Sequence, residues 1–318
     1  MPGESRFIGK NVTPEEHEKL SEWHEGIIEK YSRPLEGETE KTEEQRRFLE
    51  RLNDYYAEEF QELGLSEQPR ILLEQIHILP SEVYDRRFPG AGAGFHSTVE
   101  DQIFTTSWRK KENLYFGLIH EGIHALSHHT LHAELSSKGG FVKTYRSGYQ
   151  VTNPESREHR HLAGFDEAIT EKMARDIFKK HRQELVDNFD YPADKEPAMP
   201  MLYGEYMEIL DGIIEVMAEH SGEDPEDVWR QFKRGKFTGE MMHLRNIERT
   251  FGEGSLRVLA ALDYKQVRPK PETVILLVKE YFMSTDTLRR KEIAKTLLSD
   301  PGYRQYRLRE KRAKKYSK

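Results

Sequence analysis

Residues 112 to 132 read ENLYFGLIHEGIHALSHHTLH, a stretch with helical periodicity and no proline. At about 100° per residue, Leu114, Leu118, Ile119, Ala125 and Leu126 fall on one broad side, and Asn113, Phe116, His120, His124, Ser127 and His128 on the other. The spacing predicts a core helix carrying a polar stripe. Within it, His120-Glu121-Gly122-Ile123-His124 is an HExxH sequence, which sets two imidazoles one turn apart on one face, where both can bind one tetrahedral zinc ion. Glu121 projects about 100° further round, so its carboxylate is expected beside the metal, as a general base for a water the metal activates.

The flanks predict a small sheet around this helix. Upstream, RILLEQIHIL at 70–79 is rich in Ile and Leu and stops at Pro80, which reads as a strand, with a helix as the competing reading. The glycines of GAGAG at 90–94 lead into FHSTVEDQIFTT at 95–106, whose alternation suggests a second strand. Downstream, residues 136–140 break the helical pattern, FVKTYRSGYQV at 141–151 can return as a strand or hairpin, and a new helix starts near Gly164-Phe165-Asp166.

Residues 13–64 read as two polar amphipathic helices, the first opened by Thr13-Pro14-Glu15-Glu16. Beyond the proline-bearing connector at 191–200, helices are expected over 202–220, 224–234, 239–251, 255–263, 271–284 and 286–299. Three segments follow from this reading: an N-terminal helical part (1–68), a catalytic core (69–190) and a helical C-terminal region (191–318) with a basic tail. That tail, YRQYRLREKRAKKYSK, reads as a solvated end. The fold class expected is α+β, predominantly helical.

A third ligand is needed to hold a catalytic zinc, and Asp166-Glu167-Ala168-Ile169-Thr170-Glu171 offers one on the downstream helix. With the upstream motif, this element resembles the gluzincin metallopeptidases, the thermolysin-like clan, in which HExxH is followed on a second helix by an Asn-Glu-x-x-x-Asp type element. The resemblance covers about residues 69 to 187. It implies Glu167 as third ligand, Glu171 as the carboxylate that fixes the tautomer of a ligand histidine, and Asp166 as its neighbour. Asp166 stands where the longer-known members have Asn, and Glu171 where they often have Asp. Glu167 lies 43 positions beyond His124, so an extra loop or hairpin must lie between them.

His128, continuing the stripe, is the alternative third ligand. The metzincin pattern fails, because positions 127 and 130 are Ser and Thr. The resemblance also implies an edge strand that binds peptide backbone by strand addition, for which 95–106 is the candidate. A donor for the developing oxyanion is sought among Tyr145, Tyr149, His159 and His161, with Tyr149 placed first and His161 second. His17, His24, His77, His96, His181, His220 and His243 have no ligand spacing, and His129 and His132 read the same way, His132 as a substrate rim at most.

Composition narrows the chemistry further. The 318 residues contain no cysteine, so disulfides, thiolate zinc sites and cysteine nucleophiles are all excluded, and any metal must use His and carboxylates. A net charge of −7 disfavours nucleic acid as partner, and no apolar run approaches the length of a membrane span. The start lacks the apolar core of a secretory signal, so the cytoplasm is expected. The expectation is one Zn2+ ion and a peptide or protein substrate, with an inactive zinc-binding scaffold or a non-peptide zinc hydrolase as the alternatives.

Overall fold

In a computed structural model, which describes residues 6–8, 13–66, 69–107, 111–136, 139–152, 160–197, 201–266 and 271–299, the chain is α+β with helices in the majority. Its contacts divide it into two units, Met1–Gly148 with Thr170–Ala198, and Tyr149–Ile169 with Met199–Lys318. The basic tail and His159 lie outside the described residues.

The first unit holds β1 (Arg6–Ile8), α1 (Pro14–Tyr31), α2 (Glu43–Glu62), β2 (Ile76–Leu79), α3 (Ser81–Arg87), β3 (Gly94–Ser97), β4 (Gln102–Thr106), α4 (Lys111–Leu126), β5 (His129–Ser136) and β6 (Gly139–Ser147). Both N-terminal helices open with a capping box, Thr13 with Glu16 and Thr42 with Gln45. Rather than standing apart as a separate segment, α2 belongs to this unit. It buries Phe48, Leu52, Tyr55, Tyr56 and Phe60, and Phe48 stacks on Tyr115 of α4 with ring centroids 4.3 Å apart.

A three-stranded sheet in the order β2-β4-β3 pairs β2 parallel and β3 antiparallel to the central strand, with α4 lying against β3 and β4. Here the strands are shorter than the sequence predicts. The side chain of Asn53 takes both backbone polar groups of Ile71, at 2.8 and 3.0 Å, so the expected strand from Arg70 begins only at Ile76. The stretch 95–106 folds into a hairpin, turning at Asp101 with φ 51°. β5 pairs parallel with β1 and antiparallel with β6, over a small core of Phe7, Leu20, Leu131 and Ala133.

The predicted helix over 112–132 also ends early, at Leu126. Ser127 Oγ donates to the Ile123 carbonyl at 2.7 Å, and from His129 the backbone is taken up by neighbouring strands on both sides. Tertiary pairing thus overrides the local helical pattern, and His128 is not on the helix.

The second unit contains the antiparallel pair β7 (Gln150–Thr152) and β8 (Arg160–His161), then α6 (Met201–Ser221), α7 (Pro225–Thr238), α8 (Leu244–Phe251), α9 (Ser255–Leu259), a 3-10 turn over Ala260–Gln266, α10 (Pro271–Met283) and α11 (Thr287–Ser299). Asp224 caps α7 and Gly239 ends it with φ 78°, the left-handed conformation that suits glycine. Tyr206, Ile213, Phe232, Ile247, Val258 and Phe282 are among its buried residues. The 27-residue helix α5 (Ala163–Phe189) starts in this unit and continues into the first. No helix among the described residues is long and apolar enough to cross a membrane.

Candidate metal centre

The segment His120–His124 occupies the last two turns of α4, and its orientation is fixed from behind. Tyr56, fully buried on α2, donates its hydroxyl to the carbonyls of Ile119 (2.9 Å) and Leu118 (3.3 Å). A Cβ at Gly122 would overlap that hydroxyl, so glycine is what lets the tyrosine reach the helix backbone. Burial first, and then the nearby Glu121 carboxylate, hold the Tyr56 hydroxyl well above its ordinary pKa, which keeps it a donor.

On the other face the two imidazoles lie with ring centroids 5.1 Å apart. One ligand atom each from His120, His124 and Glu167 lie within 4.8 Å of one another. Glu167 and Glu171 sit one turn apart on α5, so both point to the same side of that helix. Glu171, 1% exposed, accepts from His120 Nδ1 at 3.1 Å through one oxygen and from Arg175 Nε at 2.9 Å through the other, which also lies 2.8 Å from Arg175 Nη2 as an ion pair. Donation from Nδ1 leaves the imidazole lone pair on Nε2, the arrangement a metal-binding histidine requires. Arg175 in turn fixes the carboxylate.

The turn of α5 that carries Glu167 is built inside the second unit. The chain passes from β8 into the helix at Leu162, whose φ of 60° is rare for a leucine. Asp263 steadies this entry, accepting from the Gly164 N–H at 2.8 Å. Its other oxygen is buried with no partner among the described residues. Burial pushes its carboxyl up to about 7, against the lowering effect of the amides at 162–164 and of Arg160. Asp166 accepts from the Tyr149 N–H and from Lys236 Nζ, both at 2.8 Å, and the Lys236 side chain is 0% exposed.

Glu121, half-buried, faces the sheet. A Cβ on Gly94 would have its Cγ at 3.5 Å, so Glu121 stands beside β3, one of the two edge strands of this sheet. Burial and then Glu121 also raise the Tyr84 hydroxyl above its ordinary pKa. Sequence reasoning missed Tyr56 and Tyr84, because both act from elements distant in the chain.

The candidate oxyanion donors are placed differently from one another. Tyr149 is buried in the second unit, its hydroxyl donating to the Phe232 carbonyl at 2.9 Å and paired with His243. His161 is half-buried on β8, and Tyr145 is half-buried on β6. His128 pairs with Thr130 Oγ1 at 3.2 Å. Elsewhere, His96 pairs with Asp101 and stacks on His129, and His77 is enclosed between Glu38 and Gln102. Among the described residues, His120, His124 and Glu167 form the one group of three or more with metal-ligand spacing. Comparison with family models, with curated proteins and with solved structures finds no match to this chain.

Proposed function

We propose that the protein is a zinc-dependent metallopeptidase, resembling the gluzincins in its site and using His120, His124 and Glu167 as ligands. The observation that carries this reading is the approach of those three donors to within 4.8 Å from two helices. The donor set fits the ion: two imidazoles and one carboxylate are a ligand set of catalytic zinc, and they leave a coordination position open. Zinc bound there supplies Lewis acidity, which lowers the pKa of a water and polarises a peptide carbonyl.

The chain's own residues do the rest. Glu171 holds His120 in one tautomer and ring orientation, and Arg175 holds Glu171. Glu121 takes a proton from the attacking water and passes it to the leaving amine as the C–N bond breaks. Among the described residues no strand pairs with the outer side of β3, beside Glu121, and a peptide backbone would add there.

A peptide-library digest separates this reading from its rivals. Wild type is expected to cleave, and Glu121→Gln to lose cleavage by about a hundredfold or more while retaining zinc, since it removes the base and not a ligand. A wild type that binds zinc yet cleaves no peptide would point to a non-peptide hydrolase or an inactive scaffold instead.

A further inference from the structure

Asp166 places a charge one residue before the proposed ligand Glu167. Within the second unit that charge meets Lys236 of α7 at 2.8 Å, and both side chains are almost wholly removed from solvent, at 0% and 3% exposure. The same carboxylate oxygen also accepts the Tyr149 N–H. The ring of Tyr149 then returns to α7, where its hydroxyl bonds the Phe232 carbonyl. Gly235, next to Lys236, has no room for a Cβ against Tyr149 and His243, so close packing at this point is built into the sequence.

From this closed circuit, α7 to Asp166, Asp166 to Tyr149 and Tyr149 back to α7, we infer that Lys236 is a positioning residue for the metal ligand Glu167. The inference rests on the metal reading of Glu167. A buried carboxylate deprived of its counter-charge is drawn toward water. That displacement moves the first turn of α5, and Glu167 is the next residue along. Lys236 therefore acts on the ligand through Asp166, without touching the ion.

The test uses the full chain, zinc alone as ligand, and the variants Lys236→Met and Lys236→Met/Asp166→Asn. Lys236→Met is expected to weaken zinc binding, measured by chelator competition, by about ten- to a hundredfold, and to change the visible spectrum of the cobalt-substituted protein. Amides of residues 163–169 should exchange faster, while those of the far half of α5 do not. Adding Asp166→Asn should restore affinity, spectrum and exchange, because the amide oxygen keeps the Tyr149 bond and the charge that Lys236 balanced is gone. If Lys236→Met leaves affinity and exchange unchanged, or if the double variant is no better than the single, the inference falls. Should Lys236→Met not fold, a folded double variant with wild-type affinity sustains the inference and an unfolded one overturns it. A wild type that binds no zinc would sink the metal reading separately, and exchange at 163–169 would then decide the role of Lys236 by itself.

Discussion

Asp263 gives the plainest pH dependence of any single residue. Its carboxyl is raised from 3.8 to about 7, so the folded chain holds a proton that the unfolded chain releases at lower pH. The sign follows: stability is lost as pH climbs from about 4 to about 7, by a few kcal/mol at most. Asp263→Asn keeps an acceptor for the Gly164 N–H and carries no charge. Its melting temperature should therefore gain on wild type as pH rises from about 5 to about 8. A constant difference across that range would contradict the assignment.

Gly122 and Tyr56 form a second residue-scale test. Gly122→Ala is expected to cost about 1–3 kcal/mol in denaturant unfolding, because the new methyl group meets the Tyr56 hydroxyl and ring. Tyr56→Phe should cost about 1 kcal/mol through the lost hydrogen bond. Combined, the two should be less harmful than their sum, since the clash with the hydroxyl is then absent. Strict additivity would show that the close approach is not what constrains Gly122.

At the scale of elements, the sequence is informative where local chemistry decides and silent where partners are remote. The cap at Thr13 is legible because its side chain bonds an amide three residues away, and the caps at Thr42 and Asp224 rest on the same kind of local contact. Thr42→Ala should accordingly lower stability by about 1 kcal/mol, read as a shifted denaturant midpoint with an unchanged slope. The end of α4 is not legible in the same way. Nothing local stops the helical pattern at Leu126; pairing of β5 with β1 and β6 does. Likewise Ile71 looks like a strand residue until Asn53, 18 positions earlier, occupies its backbone.

For the molecule as a whole, the spacing in HEGIH sets two imidazoles one turn apart, with a carboxylate beside them, on the single helix α4, because the 3.6-residue turn determines it. What holds the third donor is read only from the fold. Asp166 finds Lys236 70 residues downstream and Gly164 finds Asp263 99 residues downstream, and no periodicity reports such pairings. The expected division into three consecutive segments differs from the two interleaved units for the same reason. Helix α2 meets α5 through Arg51 and Glu184, at 2.6 and 2.9 Å, which are 133 residues apart in the chain.

The most direct test of the central claim is the metal content of protein purified without added metal, for wild type and for His124→Ala and Glu167→Ala. The account predicts about one zinc per wild-type chain, lost or greatly weakened in both variants. Wild-type protein without zinc, and unable to take it up, would contradict it, as would a Glu167→Ala variant that holds zinc as tightly as wild type.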